Sequence, residues 1–265
     1  MNHFALTALL LCSLFSYGQE PRPEIHCKHF FYGYPYGTPA SNDLVIRDVY
    51  ALSNNDATKF ADWVAYRLTY RDVIGDLTVS RVWKSDPWLD PSETLSNNPD
   101  YKDVSSDLHM DRGHQAPLAS FKGCLSASHT NYLSNITPQK DDLNRGPWKK
   151  LEDAVRDLVY AHGTVYVMTG PLYEREMPQL PHCEKHHQVP SGYWKIIAIQ
   201  EKNDIQLVAF LFDQDTPRDA AVMDYLVSVD EVEQRSGLDF LWVLPDELEE
   251  ELEESVERAL LEAHL

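Results

Sequence analysis

Asp111-Arg112-Gly113-His114-Gln115-Ala116-Pro117 is a short polar stretch in which a turn-forming glycine separates an arginine from a histidine. Imidazole is the side chain whose ordinary pKa lies nearest neutrality, so His114 can take a proton from water near pH 7. Arg112 adds a permanent cation whose planar fork suits a phosphate or a carboxylate. Alone, the tetrad is better explained as a surface pair or a satisfied core histidine. Its neighbours along the chain reverse that balance.

Downstream, Tyr132 to Gln139 reads as a short strand ending at Pro138. Asn144-Arg145-Gly146-Pro147-Trp148 follows, with proline where a helix begins and Trp148, Leu151, Val155 and Leu158 at helical spacing. This predicts a helix from about Pro147 to Ala161 that stops near Gly163. Glu152 and Arg156 lie one turn apart on its polar side, and Asn144 sits just before its first turn. On spacing alone Glu152 and Arg156 are an i,i+4 surface ion pair.

Upstream, Trp83 to Asp103 is a loop rich in Pro, Asn and Ser, preceded by strands at Val45–Leu52 and Ala61–Tyr70 with a turn at Asn54-Asn55-Asp56. Further strands are expected at Thr164–Thr169, Tyr193–Gln200 and Ile205–Phe212, the last two as a hairpin through Lys202-Asn203-Asp204. A short helix at Asp230–Arg235 and a buried apolar run at Phe240–Leu244 come next. Leu248, Leu252, Val256, Leu260 and Ala263 then form an apolar stripe expected to dock one acidic helix, its acidic face solvated. No repeat or composition shift marks a second domain. The expectation is a single α+β domain, a central, mostly antiparallel sheet flanked by helices.

The 265 residues are 43% hydrophobic and 25% charged, which suits a folded chain rather than a disordered one. Leu6 to Phe15 is a short apolar run followed by Ser16-Tyr17-Gly18, the form of a secretory signal cleaved after about Gly18. It is too short to span a bilayer permanently. A secreted or periplasmic protein without a membrane anchor is therefore expected, with residues 1–18 as signal, 19–43 as an irregular arm, 44–248 as the main domain and 249–265 as an acidic terminal helix. Removing the leader leaves Cys27, Cys124 and Cys183, which in an oxidising compartment suggests one disulfide and one spare thiol, pairing undetermined. Cys27 and Cys183 both have histidine neighbours, which leaves a zinc site open as a less favoured alternative.

The net charge of −19 argues against a tight nucleic-acid binder. Its distribution qualifies that argument. Much of the excess lies in Asp246 to Glu254, whereas Arg112 to Arg156 also carries Lys122, Lys140, Arg145, Lys149 and Lys150. A turnover enzyme that must release a polyanionic product tolerates such a body. The residues also assemble into one chemical proposal, phosphodiester hydrolysis. His114 supplies a base, Arg112 a cation, Asn144 a neutral oxygen for a hard cation such as magnesium, and Glu152 an acceptor that orients the cation's waters.

Asp111-Arg112-Gly113-His114, Ser134-Asn135-Ile136-Thr137-Pro138-Gln139, Asn144 with Trp148-Lys149-Lys150-Leu151-Glu152, and Thr169-Gly170-Pro171-Leu172-Tyr173 together closely resemble the DNA/RNA non-specific endonuclease family. The likeness spans about residues 44 to 248 with the motifs in order. It implies a ββα-metal nuclease fold and cleavage of DNA and RNA to 5′-phosphate ends. Position by position, it implies His114 as general base, Asn144 as magnesium ligand with manganese as a substitute ion, and Glu152 as the acid that holds metal-bound water. It further implies Arg81 on the phosphate, Arg112 and Arg156 on the transition state or leaving group, and Asn135 and Gln139 lining the site. A homodimer of the family kind is a further expectation. The alternative from another class is a secreted nucleic-acid-binding protein that has lost catalysis.

Overall fold

Val45 to Leu52 folds as a hairpin rather than as one strand. In the computed structural model, which describes residues 22–202 and 204–265, β1 (Asp43–Ile46) and β2 (Ala51–Asn55) pair antiparallel with Ile46 opposite Ala51. The Arg47 N–H donates to Tyr50 O across the turn at 2.8 Å. No glycine or proline announces this reversal. It is set by the Arg47 side chain, which turns inward to a buried ion pair with Asp86 and is stacked between Trp88 and Tyr132. Removing one partner of such a pair costs about 3–5 kcal/mol, so the hairpin and the loop carrying Asp86 are held as one unit.

The chain continues through β3 (Phe60–Thr69), the single turn α1 (Tyr70–Val73), the long loop, and α2 (Val104–Leu108). β4 (Met110–His114) and β5 (Ile136–Lys140) then form a separate antiparallel ribbon, with Asp111 opposite Gln139 and His114 opposite Ile136. Pro138 does not end β5 as expected but lies inside it. A two-stranded ribbon leaves one side of each strand without a partner, so a missing N–H is tolerated there. The Pro138 carbonyl is not wasted, since Tyr193 Oη and Gln214 Nε2 each donate to it at 2.8 Å.

α3 (Asp141–Arg145) leads directly into α4 (Pro147–His162), which has proline in its first turn and ends at Gly163, whose φ of +81° a side chain would resist. β4, β5 and the α3–α4 segment are the ββα unit of the expected fold. β6 (Thr164–Leu172), β7 (Gly192–Glu201), β8 (Asp204–Asp213) and the two-residue β9 (Leu226–Val227) complete a second, larger sheet. Its order is β1-β2-β3-β6-β7-β8-β9, and every pairing is antiparallel.

Alternate residues of β7 enter different cores. Tyr193, Ile197 and Ile199 pack with Trp148, Leu151, Val155 and Leu158 of α4. Trp194, Ile196 and Ala198 pack on the other face with Val229 and Val232 of α5 (Val229–Ser236). The sheet is thus covered on both sides, which accounts for its long apolar strands. The expected terminal helix is broken into α6 (Asp246–Glu254) and α7 (Ala259–Glu262). Leu252 packs on the α5 side, whereas Leu260 and Leu261 pack on the α4 side, so the stripe is divided between two faces that one straight helix could not reach. Nor is the acidic face wholly solvated, because Glu253 is buried.

The expected leader lies outside the described residues. The described part of the arm docks through aromatic contacts, Phe30 and Tyr34 meeting Trp63, and Tyr34 meeting Trp242 edge-on. No disulfide forms among the described residues: Cys27, Cys124 and Cys183 are free thiols. They belong to three different hydrophobic clusters, which is why none meets another. No helix among the described residues is long and apolar enough to cross a membrane.

Candidate active site

β4 ends at His114, and α3 and α4 start from the end of its partner strand β5, so the ribbon sets a histidine opposite a helix N-terminal turn. Between them lies a cleft of about 400 Å³ whose lining includes Arg81, Arg112, His114, Asn144, Glu152 and Arg156. Six of the eight residues expected in the site therefore converge. Asn135 and Gln139 do not line it.

Asn135 is fully buried, and its amide stitches the backbone behind the histidine. Its Nδ2 donates to Ala116 O and Thr130 O, and its Oδ1 accepts from Ala116 N–H. Gln139 is also fully buried, packed against the face of Gly113. A Cβ built at Gly113 would stand 2.5 Å from Gln139 Oε1 and 2.8 Å from its Cβ, so the glycine is required by close approach.

The tautomer of His114 follows from its neighbours. Asn131 Nδ2 donates to Ser80 O at 3.3 Å, which turns Asn131 Oδ1 toward His114 Nε2 at 3.1 Å. An amide oxygen only accepts, so Nε2 carries the proton and Nδ1 keeps the lone pair. Burial lowers the His114 pKa to about 4; the Asn131 hydrogen bond opposes this, and the Arg81 charge adds to it. The imidazole is accordingly neutral at pH 7. Trp83 packs on it, with ring centroids 5.2 Å apart.

Asn144 is oriented by the same logic. Its Nδ2 donates to Asp111 Oδ2 at 2.8 Å; a carboxylate only accepts, so the amide oxygen faces away from that contact. Asp111 also takes a two-pronged pair from Arg145, at 2.8 and 2.6 Å, and these partners hold its carboxyl below the usual range against the opposing effect of burial. Arg112 is anchored by Nη2 to Tyr101 O at 3.1 Å and lies over the Tyr101 ring. Arg156 is held by Asp153 and Ser120, while Arg81 is exposed and makes no ion pair among the described residues.

Glu152 stands one turn beyond Trp148 on α4, and the ring of Trp148 lies 4.0 Å from Lys195 Nζ. Lys195 comes from β7, is fully buried, and its Nζ has no hydrogen-bond partner. Burial pushes Glu152 up and Lys195 down, and each charge opposes the shift of the other. Asn131 and Trp83 contact His114, and Lys195 acts on Glu152 through its charge; none of the three lines the cleft and none carries a motif. Of the three, only Lys195 left a signal in the sequence, as the one charge inside the apolar run Tyr193 to Ile199.

The histidine segments around Cys27 and Cys183 are not brought together. His29 accepts from Arg67 N–H through Nδ1 and donates from Nε2 to Arg47 O, and His187 accepts from Leu180 N–H through Nε2, so both rings serve the backbone. Among the described residues no group of histidines and cysteines forms a metal-ligand cluster.

A histidine on a β-ribbon facing an asparagine and an acid at the start of the following helix defines the ββα-metal class of nucleases. Residues 30–247 match the family described as DNA/RNA non-specific endonuclease, and the chain belongs to that family; it is a hydrolase that cleaves nucleic acids. It is 48% identical over 217 residues to a nuclease of Serratia marcescens, a match that covers 80% of each chain. It is 29% identical over 224 residues to the mitochondrial endonuclease G of Bos taurus, covering 78% of this chain and 71% of that one. The crystal structure of the EndoG/EndoGI complex superposes with a TM-score of 0.67 at 26% identity, covering 81% of this chain and 90% of that one. The α+β architecture expected from the motifs is the one found.

Proposed function

We propose that the protein is an exported, magnesium-dependent endonuclease that hydrolyses DNA and RNA to 5′-phosphate ends, with residues 1–18 as its leader and the periplasm or medium as its place of work. The observation that carries this reading is the fixed tautomer of His114 in a cleft lined by guanidinium groups. His114 Nδ1 takes a proton from water, the water oxygen attacks phosphorus, the P–O3′ bond breaks, and the 3′ oxyanion takes a proton from a solvent water to leave as a hydroxyl. Arg81 and Arg112 hold the phosphate oxygens, and Arg156 offsets charge at the transition state.

The residues present fit a hard divalent cation, because Asp111 leaves Asn144 with its amide oxygen as the available donor and Glu152 supplies a second oxygen. Such a cation, with manganese as a substitute, would be held by Asn144 and oriented through Glu152, and would neutralise charge on the attacked phosphate and the leaving oxygen. Asn135 and Gln139 are assigned to supporting the ribbon rather than touching substrate. Contacts directed at phosphate and sugar would account for cleavage of both nucleic acids without base preference.

The test is cleavage of circular DNA and of RNA by residues 19–265, with magnesium or with chelator, beside His114→Ala. Metal-dependent cutting of both substrates that falls by about 10²–10⁴-fold in the variant is the expected result. Folded wild type that binds nucleic acid but cuts neither would establish the inactive binding protein instead.

A further inference from the structure

On the sheet face away from the cleft, α5 and α6 bring Asp230, Glu233 and Glu253 together. One carboxylate oxygen from each lies within 4.8 Å of the other two. Two oxygens on opposite sides of a calcium ion are about 4.8 Å apart, so all three can share one ion of that size. Acidic clusters are common on surfaces and mean little alone. Here Glu253 is only 7% exposed, and its buried Oε1 has no hydrogen-bond partner among the described residues. A buried carboxylate oxygen without a donor costs free energy unless a proton or a cation reaches it.

The surroundings supply no cation. Arg235 is taken by Glu174 and Glu231, and Arg22 by Asp239. Asp239 and Glu249 instead add negative charge; burial first, and then the neighbouring carboxylates, push the Glu253 pKa up to about 9 and that of Glu233 up to about 7. All donors are oxygens, with no nitrogen or sulfur, which suits a hard cation and not zinc. Asp230 is exposed, leaving room for water ligands on the solvent side.

We propose that Asp230, Glu233 and Glu253 form a calcium site that fastens α6 to α5. It is separate from the catalytic cleft and structural in role. Glu253 sits next to the point where the chain leaves α6 to cross to the other face of the sheet as α7. An ion there fixes the crossing that places Leu260 and Leu261 in the α4-side core. With three carboxylates and water the affinity expected is that of extracellular modules, a Kd of about 10⁻⁴–10⁻³ M.

The experiment is thermal melting of the full mature chain at neutral pH, in chelator and in millimolar calcium chloride, for wild type, Glu253→Gln, Asp230→Asn and Asn144→Ala. Calcium should raise the wild-type Tm by about 5 °C near saturation. Glu253→Gln, which keeps the shape of the side chain, should lose that rise, and Asp230→Asn should require about tenfold more calcium. Asn144→Ala should keep the rise, which separates this site from the catalytic metal. An equal rise in wild type and Glu253→Gln would overturn the proposal. So would a wild type whose Tm ignores calcium, and Glu253→Gln melting higher than it in chelator would then identify carboxyls that merely share protons.

Discussion

Asn131 Oδ1 lies 3.1 Å from His114 Nε2, and this one contact decides which nitrogen of the histidine is basic. Asn131→Ala should lower kcat by about 10²-fold with little change in KM, because the imidazole loses its tautomer while the guanidinium groups remain. An unchanged kcat would mean that Trp83 alone orients the ring.

The pH profile of kcat/KM follows from the His114 pKa of about 4. Burial favours the neutral ring, so the acid limb should lie near pH 4 and not near the ordinary histidine value of about 6.5. Arg81→Ala removes a nearby like charge and should move that limb upward, with a raised KM for the lost phosphate contact. Initial rates from about pH 4 to 8 at saturating magnesium test this. A limb that stays in place would show that the arginine does not act on the base.

Asp111→Ala releases the amide of Asn144 to rotate. The magnesium concentration for half-maximal activity should rise by about 10–100-fold, as for other residues that orient a metal ligand. Arg145→Ala, which removes only the second partner of Asp111, should leave it within about threefold. Equal effects of the two substitutions would place the control of Asn144 elsewhere.

Gly113→Ala should destabilise the ribbon by about 1–3 kcal/mol, because the added Cβ meets Gln139. Gln139→Ala in the same chain should restore part of the loss, since it removes the Oε1 contact but keeps the Cβ at 2.8 Å. Chemical denaturation of the two variants reads this directly, and a double variant no more stable than Gly113→Ala would refute the contact as the cause.

Lys195→Met removes the buried cation that opposes protonation of Glu152. Activity at neutral pH should fall and recover as pH rises, because the Glu152 carboxyl then loses its proton only at higher pH. A loss that is the same at every pH would indicate a packing defect.

The cleft is legible in part from local signals at element ends and in part only from the family resemblance. Proline at position 147 and glycine at position 163 bound α4 and put Asn144 just before it, whereas spacing leaves Glu152 and Arg156 as a surface pair and only the family resemblance brings them, with Arg81, into the site. The orienting contacts were not legible. Asn131 acts through the Ser80 carbonyl, 51 residues away along the chain, and Lys195 shows in sequence only as a lone charge in an apolar strand, with nothing to say that it is buried near Glu152. Its burial depends on a sheet covered on both faces, which no single strand reveals. The Arg47 hairpin is hidden in the sequence for a related reason: a tertiary ion pair holds the reversal, and no glycine or proline marks it. The terminal stripe misleads because helical spacing cannot show that its two ends serve opposite cores.

The large sheet also separates charge. The cleft lining presents Arg81, Arg112, Arg145, Lys149 and Arg156 beside Glu152 and Asp153, while α5 and α6 carry ten carboxylates on the other side of the sheet. On a chain of net charge −19, the guanidinium groups of the cleft are a local cationic patch. An approaching polyanion is repelled by the acidic surface of α5 and α6 and attracted by the cleft's guanidinium groups before any contact is made, so encounters are sorted by orientation while they are still diffusive. The same repulsion limits how many phosphates beyond the cleft can stick, which favours departure of the cut strand.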